Sequence, residues 1–156
     1  MGSAMTMTGL VWPCEAAAEN PALTAFVQKC RARLLEDGGF RRSAFDPVDF
    51  AACLANLIMS ERTGPREYFY RVAGTAIVDR YGAELSRNPL DAHTMGESEN
   101  LFLDMLEATM AGNEPVFLSG TMFWTEREHI AFQQVTLPLL DSDGTPRFVM
   151  TYIDFK

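Results

Sequence analysis

Residues 68–82 change their hydrophobic period in mid-run, and this change constrains the fold more than any other feature of the sequence. From Tyr68 to Val72, every second position carries an apolar or aromatic side chain, which is the spacing of one face of a β-strand. Gly74 then opens a run whose apolar residues follow helical spacing, and Gly82 stands where that short helix should end. The stretch predicts a strand that leads through a tight turn into a short helix, as in a mixed α+β fold.

The size and charge of the chain exclude several classes of protein. Its 156 residues suffice for one domain with its own core, and the net charge of −8 argues against sequence-independent binding of nucleic acid. The cysteines Cys14, Cys30 and Cys53 have the spacing neither of a disulfide framework nor of a zinc site, which fits a reducing cytoplasm. No apolar run has the length of a membrane span, and the N-terminus lacks a signal-peptide pattern. We expect a cytoplasmic protein without membrane insertion, in which residues 1–19 are disordered or derived from a cloning tag and residues 20–156 form a single domain.

Three helices are predicted outside the 68–82 stretch. Asn20 suits an N-cap and Gly38 should end the N-terminal helix that it opens. A short helix is predicted over residues 46–54, and a longer one from a capping box at residue 94 to about residue 112. The N-terminal helix is amphipathic, with an apolar stripe formed by Leu23, Phe26, Val27, Cys30 and Leu34.

Five strands are predicted, and they belong to one antiparallel sheet. They cover residues 56–60, 67–73, 115–124, 129–139 and 147–155. An Asp-Gly hairpin turn at Asp143 and Gly144 joins the last two. The last strands are apolar on both faces, so both faces of the sheet must be covered. The middle helices should cover one face, and the N-terminal helix or a second subunit the other.

This pattern resembles a PAS domain, and more narrowly the small bacterial, mostly alphaproteobacterial, standalone PAS family of largely unassigned function. The matching pieces extend over about residues 23–155, and they are Phe45-Asp46-Pro47, the run from Tyr70 to Thr75, Ile77-Val78, Tyr81-Gly82, Leu90-Asp91, Leu137-Pro138-Leu139 and Asp143-Gly144. Where that family usually has Thr-Gly, this chain has Ser86-Arg87-Asn88, which puts the transfer of any particular ligand in doubt. The resemblance implies a sensory module with a cavity between its sheet and the helices on one face.

Inward-facing side chains, most of them aromatic or methionine, are the candidates for lining such a cavity. They are Tyr70, Val72, Phe102, Met105, Leu106, Gln133, Met150 and Tyr152. Residues of this kind more often form plain core than line a pocket. If a small apolar ligand binds, the hydroxyls of Tyr70 and Tyr152 and the amide of Gln133 would orient its polar end.

The candidates for a protein interface are the apolar stripe of the N-terminal helix and one charged residue. They are Leu23, Phe26, Val27, Cys30, Leu34 and Arg71. Arg71 lies among apolar neighbours, so its charge needs a partner. We expect an ion pair with the segment around Asp46 or Asp49, or a contact with a partner protein.

The sequence predicts no catalytic residue, no metal site and no cofactor. The two histidines, His93 and His129, fall in a loop and at the start of a strand, which does not suit a haem ligand. Cys53 does not stand in the Asn-Cys-Arg run of photoactive flavin domains, so neither haem nor flavin is predicted. His129 has glutamates beside it at positions 126 and 128, but all three fall at a tight turn where charged residues are usually solvated.

We therefore predict a non-enzymatic sensory or regulatory module that signals through protein association. Its partner would be a second copy of the same chain or another signalling protein, and a small apolar ligand would tune the association. Two alternatives stay open at this point. One is a small cone-shaped lyase or isomerase of the cystatin-like fold, and the other is a structural interaction module with a filled core.

Overall fold

The computed structural model describes residues 5–7, 10–82, 84–90, 99–112, 114–122 and 127–156. Its strands are β1 (Met5–Met7), β2 (Leu10–Trp12), β3 (Leu35–Glu36), β4 (Gly39–Phe40), β5 (Leu57–Gly64), β6 (Glu67–Ala73), β7 (Val116–Met122), β8 (Arg127–Leu140) and β9 (Pro146–Phe155). Its helices are α1 (Glu15–Ala18), α2 (Pro21–Arg33), α3 (Thr75–Tyr81) and α4 (Glu99–Ala111), with 3₁₀ turns at Arg42–Ala44 and Leu54–Asn56. None of these helices is long and apolar enough to cross a bilayer.

One antiparallel sheet holds seven strands in the order β1-β2-β7-β8-β9-β5-β6, and β3 and β4 pair separately. The five predicted strands occupy adjacent places from β7 to β6, which confirms the α+β class and the antiparallel sheet. The strand count differs by two, because β2 adds to the edge of β7 by pairing Leu10 with Gly120 and Val11 with Ser119, and β1 pairs in turn with β2. Two-residue pairing is too short to give a detectable period in the sequence.

The expected domain boundary at residue 20 does not hold, because residues 10–19 belong to the folded domain. Leu10 and Ala17 are fully buried, and the backbone N–H of Cys14 donates to the carbonyl of Phe117 at 3.1 Å. The two helix predictions around this region are also corrected. The N-terminal helix ends at Arg33, since residues 35–40 form the β3–β4 hairpin. Residues 46–54 form successive turns, which Asp46 opens by accepting a hydrogen bond from Val48 N at 3.0 Å.

Helices α3 and α4 cover one face of the sheet, called the inner face below. Apolar side chains of α4 meet alternate residues of the strands there, including Ile58, Tyr70, Leu118, Val149 and Ile153. An ion pair fastens α4 to the β5–β6 hairpin, since Arg62 donates to both carboxylate oxygens of Glu107, at 2.8 and 2.9 Å. Tyr68 donates its hydroxyl to the same carboxylate. The capping box predicted to open this helix, at residues 94–97, lies outside the described residues.

Helix α2 covers the opposite face, called the outer face below, in its own chain. The apolar stripe of α2 packs on β8 and β9, in one core cluster with Val135, Leu137 and Met150, and the Phe26 ring stacks on Tyr152 at a centroid distance of 4.7 Å. The N-cap anchors the helix, because Asn20 accepts from Ala22 N at 2.8 Å and donates to Gln133 at 2.7 Å and to Asp154 at 2.9 Å. The sheet thus obtains its second layer from the N-terminal helix without a second subunit.

Candidate functional site

The outer face carries an apolar groove at the end of the sheet that α2 leaves uncovered. The groove has a volume of about 680 Å³, within the range of small-molecule sites. Strands β5, β6 and β9 form its floor, and the segment from residue 42 to residue 54 forms its wall. Its lining includes Arg42, Phe45, Pro47, Leu54, Leu57, Met59, Glu61, Arg71, Val72, Phe148 and Met150.

A β-bulge in β6 turns Val72 toward this groove. Met59 pairs with Val72, and the next residue of β5, Ser60, pairs with Tyr70. Arg71 therefore has no paired residue on β5 and is the extra residue of the bulge. The bulge interrupts the alternation, and Arg71 and Val72 both line the outer groove while Tyr70 stays in the inner core. The prediction that Val72 points inward with Tyr70 is therefore wrong. Val72 is 55% exposed.

A buried carboxylate holds two arginines at one end of the groove. The Glu61 side chain is 8% exposed, and it accepts hydrogen bonds from Arg71 Nε and Arg147 Nε, each at 2.7 Å. Burial alone would raise the pKa of Glu61, but the hydrogen bonds from Arg147 and Arg71 outweigh it and hold the pKa below its usual value. The predicted ion pair of Arg71 exists, but the partner is Glu61 and not the segment around Asp46 or Asp49.

Arg42 is the second arginine in the lining of the groove, and its surroundings differ from those of Arg71. Its guanidinium carbon lies 5.7 Å from the ring centroid of Phe45 and 5.6 Å from that of Phe148. Its Nε is buried without a hydrogen-bond partner, and no carboxylate of the described residues forms an ion pair with it. Contacts with two aromatic faces stabilise the cation in part.

The inner core contains four of the eight predicted pocket residues. Tyr70, Phe102, Met105 and Leu106 border a cavity of about 30 Å³ between the sheet and α4. That volume corresponds to about one water molecule. Gln134, which the sequence analysis did not select, points into this core and its amide nitrogen lies 3.9 Å from the Met105 sulfur. Around this cavity, the described side chains pack as an ordinary hydrophobic core in which Gln134 supplies a polar group.

Three further pocket candidates lie on the outer face and not beside the inner cavity, and one of them, Met150, lines the outer groove. Met150 and Tyr152 pack in the outer core, and Gln133 bonds to the N-cap Asn20. Alternation along β8 and β9 correctly separates the two faces, but it does not say which face meets which helix layer when both are apolar. The inward positions belong to the neighbouring residues, Gln134 and Thr151 among them.

The predicted interface stripe is buried within the chain. Leu23, Phe26, Val27, Cys30 and Leu34 are each at most 7% exposed and contact the outer face of the same sheet. They are thus unavailable to a partner while α2 stays in place. Of the six interface candidates, Arg71 alone lies at the surface, with a side chain 48% exposed.

The side chains considered for catalysis, those of His129 and of the glutamates at positions 126 and 128, lie outside the described residues. His93, the other histidine, lies outside them as well. Within the described part of the chain, no cluster of three histidine, cysteine or acidic residues has the geometry of a metal site. The sequence reasoning missed Arg42 and Phe148 as groove residues. The only signal near them was the Phe45-Asp46-Pro47 motif, which pointed to the family and not to a site.

Comparison with known proteins gives a family and a fold. The family model of the PAS domain matches residues 18–153. The PAS domain of Bordetella pertussis BvgS superimposes with a TM-score of 0.50 at 17% identity, covering 70% of this chain and 85% of that domain. A domain of the putative light and redox sensing histidine kinase from Haloarcula marismortui gives a TM-score of 0.47 at 17% identity, with coverage of 69% and 96%. Among curated proteins, none matches the sequence.

The family match spans most of the chain and agrees with the order of strands and helices in the structure. It excludes the cystatin-like fold that the sequence left open as an alternative. With an antiparallel sheet, a helical inner layer and a matching sequence over residues 18–153, this chain belongs to the PAS domain family, a family of sensory modules.

Proposed function

We propose that this chain is a non-catalytic regulatory module that signals by associating with a second copy of itself through the outer face of its sheet. The observation that carries the proposal is the uncovered end of that face. Val72 is 55% exposed and Leu54 is 37% exposed beside the apolar groove, and Val48 on the wall segment is 79% exposed. Adjacent exposed apolar residues are typical of association surfaces.

The charge of this patch is compatible with self-association. The net charge of −8 makes two copies repel each other. The lining of the groove carries two arginines and one glutamate, a net charge of +1, so this patch does not add to the negative charge that makes two copies repel each other. A two-fold contact needs only one such surface, since the same patch serves both partners.

Association of this kind would transmit a signal if two states of the surface differ in their affinity for the second copy. The wall segment from residue 42 to residue 54 is the natural element to move, because it consists of turns and 3₁₀ helix without a place in the sheet. A shift of this wall would widen or close the groove beside Val72.

The test is sedimentation velocity over a range of concentrations, with two matched variants. Val72→Lys places a charge in the proposed contact, and Val11→Lys makes the same change on β2 at the other end of the sheet. We expect the wild type and Val11→Lys to dimerise and Val72→Lys to be monomeric, with all three equally folded by circular dichroism. A wild type that stays monomeric at every concentration, or a Val72→Lys variant that dimerises like the wild type, would refute the proposal.

A further inference from the structure

The groove on the outer face has the features of a small-molecule site as well as those of a contact surface. Its volume of about 680 Å³ compares with about 30 Å³ for the cavity beside Tyr70 in the inner core. Its floor is apolar, being formed by Met59, Val72 and Met150 among others. An apolar floor with a few polar groups at one place is the usual composition of a ligand site.

Arg42 and Arg71 line the groove and Arg147 reaches Glu61 from beside it, and these three guanidiniums are not equivalent. Arg71 and Arg147 both donate to the buried carboxylate of Glu61, and Nη1 of Arg147 also lies 4.0 Å from a carboxylate oxygen of Asp141, so these two cations are balanced by two carboxylates. Arg42 lies between the rings of Phe45 and Phe148, with a buried Nε that no described acceptor reaches. A buried N–H without an acceptor is unfavourable, and an anion that enters the groove would relieve this.

The charge count selects the class of anion. One free guanidinium matches one carboxylate, because the planar fork of arginine donates two parallel hydrogen bonds to it. A doubly charged phosphate would need a second free cation, and Arg71 and Arg147 are occupied by Glu61. The carboxylate of Glu61 would also repel a second negative charge.

We propose that the groove binds a small apolar molecule with a single carboxylate. The carboxylate pairs with the guanidinium of Arg42, and the apolar part lies on the floor formed by Met59, Val72 and Met150. This site is separate from the inner core, and binding to it does not require self-association. Where the chain also dimerises through this face, the ligand would change the surface beside Val72 and so the affinity between copies.

Three probes with the same apolar part and different ends test the proposal by isothermal titration calorimetry. They are phenylbutyrate, phenylbutanol and phenylbutylammonium. Arg42→Gln is the test variant, and Arg33→Gln on the exposed side of α2 is the matched control. For the wild type and Arg33→Gln we expect phenylbutyrate to bind roughly tenfold to hundredfold more tightly than phenylbutanol, the range of a charge-assisted hydrogen bond. For Arg42→Gln we expect phenylbutyrate to bind no better than phenylbutanol.

A second variant keeps the test valid if Arg42→Gln does not fold. Val72→Trp fills the groove from its exposed side while Arg42 is kept, and we expect it to lose binding of both phenylbutyrate and phenylbutanol. The proposal is wrong if the wild type shows no saturable binding of phenylbutyrate up to about 1 mM. It is also wrong if the ammonium or the alcohol binds as well as the carboxylate, or if Val72→Trp binds like the wild type. Sedimentation of each variant without probe reports separately on self-association, so that either proposal can fail alone.

Discussion

Replacing Glu107 by glutamine is expected to weaken the attachment of α4 to the β5–β6 hairpin. The carboxylate accepts two hydrogen bonds from Arg62, one from the hydroxyl of Tyr68 and one from the backbone N–H of Arg66 at 3.2 Å. The glutamine amide keeps one acceptor oxygen but loses the charge. The variant should therefore fold to the same structure with a lower free energy of unfolding.

The size of the effect follows from the pKa of Glu107. The hydrogen bonds from Arg62 are the main reason that this pKa is lowered from 4.5 to about 2. That difference corresponds to about 3 kcal/mol, since each tenfold change in proton affinity is about 1.4 kcal/mol. The Glu107 side chain is 26% exposed, so solvent screens part of this energy. We expect Glu107→Gln to lower the free energy of unfolding by about 2 kcal/mol near neutral pH.

The sign of the pH dependence is fixed by the lowered pKa. A carboxylate with a lowered pKa in the folded state stabilises the protein fully above its unfolded pKa of 4.5. This contribution is lost as the pH falls through 4.5 toward about 2, where the folded carboxylate also becomes protonated. The difference in stability between the wild type and Glu107→Gln should therefore shrink over this pH interval.

Urea denaturation followed by circular dichroism at a series of pH values measures this difference. Asp104→Asn is the matched control on the same helix, because the pair of Asp104 with Arg66 has side chains 41% and 43% exposed. We expect this control to cost less than about 1 kcal/mol. The reasoning is refuted if Glu107→Gln costs no more than Asp104→Asn at neutral pH, or if its cost is as large at about pH 3 as at about pH 7.

Three further predictions concern the outer layer. Phe26→Ala removes a ring that stacks on Tyr152 and should cost about 3–5 kcal/mol in urea denaturation; a cost below about 1 kcal/mol would mean that α2 does not cover the sheet. Asn20→Ala should cost about 1–2 kcal/mol because it removes the N-cap together with the bonds to β8 and β9, and a neutral result would contradict the anchoring role. Burial raises the pKa of the Cys30 thiol to about 12. Iodoacetamide at about pH 8 should therefore label the less buried Cys53 before Cys30. Equal labelling rates of the two cysteines in the folded protein would show that α2 opens readily.

Residues 68–82, where the hydrophobic period changes, show how far the local sequence pattern determines the fold. The predicted strand and short helix appear as β6 and α3, and Gly82 ends α3 with a positive φ of 74°. Gly74 is required for a reason that the local sequence does not contain. A Cβ at this position would lie 2.3 Å from the carbonyl oxygens of Leu54 and Ala55, so the turn packs against a segment that only the tertiary structure brings near.

The misplaced pocket residues show where local pattern is insufficient. The period of two in β9 correctly puts Met150 on the face opposite Val149, but both faces are apolar. The sequence of the strand does not determine which of its faces packs against α2, because that depends on the topology of the whole sheet. Val72 fails for a different reason, because the bulge at Arg71 inserts one residue and shifts every side chain after it to the other face.

The groove was beyond prediction because its parts are far apart in the sequence. Arg42 and Phe148 are far apart in the sequence, and neither belongs to a recognisable motif. Glu61 reads in the sequence as an ordinary strand residue, yet it is buried and pairs with arginines from two other strands. Such a constellation is created by the pairing of β5 with β6 and β9 and becomes visible only in three dimensions.

The central claim is that the outer face, and not the inner core, holds the binding surface of this PAS domain. A titration of methyl-labelled methionine with phenylbutyrate, followed by nuclear magnetic resonance, tests it most directly. Met59 and Met150 line the groove, whereas Met105 lies beside the inner cavity. We expect the methyl signals of Met59 and Met150 to shift with saturation and that of Met105 to stay in place. A shift of Met105 without shifts of Met59 and Met150 would contradict the claim and place the ligand in the inner core.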